Sequence, residues 1–184
     1  MPPFTRNAIK QSFWKLLSVK PLSKITVRDI VDDCGINRNS FYYHFDDIPT
    51  LLNEIMKDEG ERIISNHTQD SVEECLNEIC KRLLENKKAI LNIYNSLGRE
   101  VLVHSLMKTC EFLTEWYLME LKEETDENTR RAVIHFAKCF FFGMAIDWMN
   151  TGMSESIFSY NHQMCRILEC GVREFLASYS EKEG

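Results

Sequence analysis

The stretch from Ile25 to Leu52 constrains this chain most, because one helix-start signal occurs in it twice within about a dozen residues. Thr26 suits an N-cap, Asp29 three residues on completes a capping-box pair, and Ile25 and Ile30 stand in the hydrophobic-staple positions. This predicts a helix from Val27, with Val27, Ile30, Val31 and Cys34 at helical spacing and Gly35 as its left-handed terminator. Asn37 then caps a second helix, with Ile36 and Phe41 as its staple pair. Two capped helices joined by so tight a turn form a helix-turn-helix.

On the second helix Phe41 and Phe45 fall on one side, while Arg38, Asn39, Tyr42 and Tyr43 share another arc. Arg and Asn make bidentate contacts to base edges, and Tyr offers a hydroxyl and a flat ring to phosphate or a thymine methyl. The composition is that of a DNA-reading face. The plainer alternative is a solvated helix surface with Tyr42 half-buried, but two adjacent tyrosines beside a core pair speak against it.

With these residues in place, the first 55 or so resemble the N-terminal domain of TetR/AcrR-type transcriptional regulators. The elements that carry the resemblance are Thr26, Ile30-Val31, Gly35, the run Phe41-Tyr42-Tyr43-His44-Phe45, and Leu51-Leu52. The resemblance implies an all-α fold: a three-helix DNA-binding domain over residues 1–47, a connecting helix over 48–66, and an effector-binding and dimerisation body over 48–184. Face and resemblance together make Thr26, Arg28, Arg38, Asn39, Ser40, Tyr42, Tyr43 and His44 the candidate DNA-contacting set. For His44 a phosphate contact and a buried structural hydrogen bond are both open. The chain departs from the family at the start of the fourth helix, where the usual phosphate-clamping Lys is replaced by Ile48, followed by Pro49.

The whole chain is acidic, with 22 Lys and Arg against 28 Asp and Glu over 184 residues. That alone counts against nucleic acid, but residues 1–47 carry seven basic side chains against five acidic ones, leaving fifteen against twenty-three beyond. An acidic body on a mildly basic head limits non-specific attraction to DNA, so binding should depend on correct placement of both heads of a dimer. The seven cysteines are odd in number and form no C-x-x-C pair, which predicts buried free thiols in a reducing cytosol. No leader pattern and no membrane-length apolar run are expected, which points to the cytoplasm.

A first helix is predicted from about Arg6 to Leu17 with Thr5 as its cap, and a connector over Lys20–Lys24 whose cations suit phosphate or plain solvent. Asp47 caps the fourth helix, with Pro49 in its first turn, and that helix should reach about Asn66. Ser71 and Glu74 open a fifth helix to about Asn86, a shorter one spans Lys88 to Leu97, and a long one runs from Arg99 to about Glu124. Asp126 or Asn128 opens the eighth, to about Met149, and the last runs from about Ser159 to Tyr179 ahead of a polar tail. Both carry excess apolar surface, as a two-fold four-helix interface requires, and dimerisation through the last two helices is also what the resemblance implies. Gly143, Trp148 and Gly152 are similar to a glycine-then-Trp-x-x-x-Gly pattern in one group of the family.

No nucleophile–base spacing, phosphate-binding loop or zinc-protease motif is present, so no catalytic residue, cofactor or metal is expected. His67, His104, His135 and His162 lie on separate segments and read as structural or surface histidines. The resemblance implies a small-molecule effector of unknown identity inside the body; as large or polar side chains on the inward-looking helices, Tyr94, His104, Phe112, Trp116, His135 and Phe142 are candidate lining residues or, equally, ordinary core. The expected function is that of a repressor binding a palindromic operator as a homodimer. The alternative is control by a protein partner on the body. A well-formed internal cavity favours the effector; a filled core with an exposed apolar groove favours the partner.

Overall fold

Side-chain caps decide where most of these helices begin. The Thr26 hydroxyl accepts from the Asp29 amide while the Asp29 carboxylate accepts from the Thr26 amide, and Val27–Cys34 follows as α2. Gly35 ends it at φ +68°, donating its N–H to the Val31 carbonyl, a conformation open to glycine at little cost. Asn37 accepts from the Ser40 amide and starts α3, Arg38–His44. Asp47 does the same for Thr50, Ser71 and Glu74 form a reciprocal box, and Asp126 takes two amides, those of Asn128 and Thr129.

The computed structural model describes residues 3–66, 71–121 and 126–180. Among them are nine α-helices and no strand, so the all-α expectation is borne out. Besides α2 and α3 these are α1 (Pro3–Leu17), α4 (Ile48–Asn66), α5 (Val72–Glu85), α6 (Lys87–Tyr94), α7 (Arg99–Leu121), α8 (Glu127–Asn150) and α9 (Ile157–Ser180), with one 3₁₀ turn at Leu22–Lys24.

Three boundaries differ from the sequence reading. α1 begins at Pro3, which places Thr5 inside the helix and not at its cap. α6 stops at Tyr94 because Ser96 donates its hydroxyl to the Ile93 carbonyl and accepts the Gly98 amide, bonds that turn the chain three residues early. α9 starts two residues earlier than expected, at Ile157. The predicted end of the seventh helix near Glu124, the polar tail after Ser180 and His67 lie outside the described residues.

The chain divides into two compact units, one of residues 1–62 and 85–105, the other of residues 63–84 and 106–184. In the first, α1 packs on α2 and α6, and α2 packs on α3. Ile9, Phe13, Leu17, Ile30, Phe41, Phe45, Leu51 and Ile93 are its buried large side chains. Polar bonds tie α6 into the same unit: Trp14 Nε1 donates to Asn86 Oδ1 at 2.7 Å, and Asn92 Nδ2 donates to the Leu17 carbonyl at 2.7 Å.

In the second unit Val72, Cys110, Val133, Ala137, Phe141, Cys165, Leu168, Val172 and Leu176 make one buried cluster, and Cys75, Ile79 and Leu113 another. Trp116 packs against both. α8 departs from the expectation that no run is long and apolar enough to cross a membrane, since an 18-residue window in it has a mean hydropathy of 1.3. Its apolar character has a packing origin on one side, where Val133, Ala137, Phe141, Trp148 and Met149 are buried, and its Lys138 pairs with Glu111 at 3.6 Å.

Thr26→Ala removes one half of the box that starts α2 and should cost about 1 kcal/mol of stability by urea titration. The Asp29 carboxyl is held well below the usual range, first by the Thr26 hydroxyl and then by Lys20. Its contribution is therefore present above the unfolded carboxylate pKa and lost as pH falls through the folded one. Asp29→Asn should be less stable than the parent at pH 7, with the gap closing well below about pH 4.

Candidate nucleic-acid interface and internal cavity

α3 is short, and its two sides are distinct. Phe41 is fully buried and Phe45, at its C-cap, is nearly so, their rings 5.9 Å apart. On the other arc Arg38 and Asn39 are exposed, Tyr42 is 50 % exposed and Tyr43 71 %. Tyr42 stands edge-on to Phe41 at 5.5 Å, which fixes the ring against the core while leaving its far edge in solvent. A two-sided helix of this kind presents a guanidinium, an amide and two phenols together, without burying any of them.

The remaining members of the candidate set are placed differently. Thr26 is engaged in its capping box, and the Ser40 hydroxyl lies 3.2 Å from Asn37 Oδ1. Arg28 is exposed and pairs loosely with Asp32 at 3.4 Å. His44 packs edge-on to Tyr43 at 5.1 Å, and its Nε2 is buried without a hydrogen-bond partner among the described residues.

Most other cations of the first unit meet carboxylates. Arg6 and Lys10 both pair with Glu54, Lys10 also with Asp58, Lys15 with Asp33 and Lys20 with Asp29. Burial works against the charged form of Glu54, but the hydrogen bonds from Lys10 and Arg6 outweigh it and hold its pKa below the ordinary value. Sequence reading missed these pairs because α1 and α4 are 48 residues apart at the contact and no periodicity links them.

The proposed effector-lining residues are divided between the two units. Tyr94 and His104 belong to the first unit, where Tyr94 is buried and its hydroxyl accepts from Arg99 at 2.8 Å, and His104 is exposed. Phe112, Trp116, His135 and Phe142 belong to the second unit, where Trp116 and Phe142 pack against its core and His135 is exposed, 3.8 Å from Cys139. None of the six lines the interior cavity of the second unit.

That cavity holds only about 50 Å³ and lies among Leu76, Leu83, Cys110, Phe141, Met144 and Asn161. Asn161 is fully buried; its Nδ2 donates to Asn77 Oδ1 at 2.8 Å, and its own Oδ1 has no partner among the described residues. All seven cysteines are free, but Cys139 and Cys170 are exposed, which departs from the expectation of buried thiols. Burial raises the Cys80 thiol to about 11 and that of Cys110 to about 12, so neither forms a nucleophilic thiolate at neutral pH. No cluster of three metal-ligating side chains occurs among the described residues.

A capped helix-turn-helix with an exposed Arg-Asn-Tyr-Tyr arc, joined to an all-helical second unit, defines a DNA-binding regulator. Residues 14–55 match the model described as bacterial regulatory proteins of the tetR family, and residues 70–170 match a TetR-type transcriptional regulator C-terminal region. The chain belongs to the TetR family of transcriptional regulators, DNA-binding proteins and not enzymes. No curated protein sequence matches it significantly.

Among solved structures it is similar to the dihydroxyacetone kinase operon activator DhaS, at TM-score 0.77 and 18 % identity over 92 % of this chain and 96 % of that one. It is also similar to NalD, the secondary repressor of the MexAB-OprM multidrug efflux pump in Pseudomonas aeruginosa, at TM-score 0.58 and 17 % identity over 92 % of this chain and 98 % of that one. A TetR transcriptional regulator from Rhodococcus sp. RHA1 gives 0.58 and 16 % over 89 % and 95 %. At these identities the likeness is one of fold.

Asn77→Leu leaves the buried Asn161 amide only the weak Cys80 Sγ acceptor at 3.7 Å and should cost about 1–3 kcal/mol, whereas the double variant Asn77→Leu/Asn161→Leu should recover most of that loss. Denaturation midpoints of the two variants and the parent decide it.

Proposed function

We propose that this regulator is a cytoplasmic repressor that binds a palindromic operator as a homodimer, with one α3 in each of two successive major grooves about 34 Å apart. The observation that carries this reading is the exposed arc of Arg38, Asn39, Tyr42 and Tyr43 on a helix anchored through Phe41 and Phe45. Arg38 and Asn39 read base edges, and the tyrosines fix register on the backbone. Repression asks the least of such a chain, since occupying the operator blocks polymerase with no further surface. DhaS is an operon activator and NalD a repressor, so the fold itself is compatible with either sign.

The dimer is supported by the outer faces of α8 and α9. Opposite the buried Val133, Ala137 and Phe141, α8 exposes Phe136, Cys139 and Gly143; opposite Leu168, Val172 and Leu176, α9 exposes Ile167, Cys170 and Gly171. Within the unit α8 packs on α9, so the two faces belong to one pair of helices. Apolar side chains beside small ones allow close helix approach across a two-fold axis.

Control by a small-molecule effector completes the reading. A second reading, control by a partner protein on the body, is favoured by the small size of the cavity around Asn161, about 50 Å³. Sedimentation of the protein alone and with a cell extract depleted of small molecules separates the two.

Arg38→Ala and Tyr42→Ala should each weaken operator binding by about tenfold to a hundredfold in fluorescence anisotropy, with unchanged dimer mass. Wild-type affinity in both variants would refute the assignment of the face. Phe136→Asp combined with Ile167→Asp should yield a helical monomer by sedimentation and circular dichroism, with operator affinity reduced far more than either head substitution reduces it.

A further inference from the structure

We propose that the groove between the Pro21–Ser23 segment, the first turn of α4 and the α6–α7 turn binds a neutral, mainly apolar small molecule that carries hydrogen-bonding groups. The groove lies wholly within the first unit. The proposal deepens the effector reading above by placing the ligand in the DNA-binding unit, and its regulatory consequence rests on that reading.

The groove has a volume of about 700 Å³, inside the range of roughly 300–1,000 Å³ typical of small-molecule sites. In the second unit the cavity around Asn161, at about 50 Å³, has room for one or two waters only, and an open pocket beside Trp148 and Tyr160 holds about 230 Å³. Leu22, Ile25, Ile48, Pro49, Leu52 and Val101 form the walls. The floor is Gly98, where an added Cβ would lie 2.8 Å from Cδ2 of Leu22 and of Leu52, so the two leucines close directly onto the backbone.

No acidic or basic side chain lines the groove, and its polar groups are the amides of Asn92 and Asn95 and the hydroxyls of Ser23 and Ser96. A charged ligand would lose its hydration there with no counter-ion in return, which selects for a neutral one. At the rim Leu97 is 100 % exposed, and nothing in the packing of the unit explains a leucine on this turn.

A small molecule fits better than a protein segment. A protein partner needs about 800 Å² per side, and Lys24, Thr50, Asn53 and Arg99, adjoining the lining residues in sequence, are exposed and polar. The apolar surface ends with the groove. Its walls reach Ile25, just before α2, and Ile48, just after α3, so an occupant touches both flanks of the helix-turn-helix.

The test uses the full-length protein without DNA, with Nile red as the neutral apolar probe. Saturable, blue-shifted emission is expected, weakened at least about tenfold by Ile48→Lys and measurably by Leu97→Ser, a substitution at a fully exposed position that keeps the fold. Met119→Ser, at an exposed apolar position in the second unit, should leave binding unchanged. Absence of saturable emission, or equal affinity in the parent and both groove variants, overturns the proposal. Because the titration contains no DNA, its failure is distinct from failure of operator binding. Adding saturating dye to the anisotropy assay should shift operator affinity, and an unchanged affinity with the dye site intact removes the regulatory half of the proposal.

Discussion

The placement of α3 depends on one glycine. Gly35 turns the chain at φ +68°, and the caps on either side, Thr26 with Asp29 and Asn37 with Ser40, start α2 and α3 within a dozen or so residues. A side chain there would meet no neighbour within 4 Å, but the backbone at φ +68° strains most residues other than glycine. The angle between the two helices sets which arc of α3 is outward, and hence which of its side chains stand in solvent. The buried pair Phe41 and Phe45 locks that choice, since rotating the helix to bury Tyr42 and Tyr43 would expose both phenylalanines.

The helix-turn-helix was legible because its determinants are local. Capping pairs three residues apart, a glycine terminator and a staple are visible in any window of a dozen residues, and every cap read from Thr26, Asn37, Asp47, Ser71 and Asp126 is present. Thr5 is the exception. It has the right chemistry for a cap, but the helix continues back to Pro3 past it. Propensity names candidates for a boundary, and packing selects among them.

What the sequence hid is long-range. Asn92 donating to Leu17 and Trp14 donating to Asn86 draw α6 onto α1 across more than 70 residues, and no pattern in either segment announces the partner. The effector candidates illustrate the same limit. Large or polar residues on apolar helices are as suitable for core as for a pocket, and Tyr94 is engaged with Arg99 in the first unit while Trp116 joins two clusters of the second. The groove around Gly98 was invisible for a related reason, since its walls come from three segments far apart in the chain that no periodicity links.

The cations of the first unit carry a further consequence. Arg6, Lys10, Lys15 and Lys20 are matched to Glu54, Asp58, Asp33 and Asp29, so few are left to displace counterions from a phosphate backbone. For a DNA-binding regulator of this family, weak attraction to random sequence leaves a larger share of the molecules on any sequence that it does recognise.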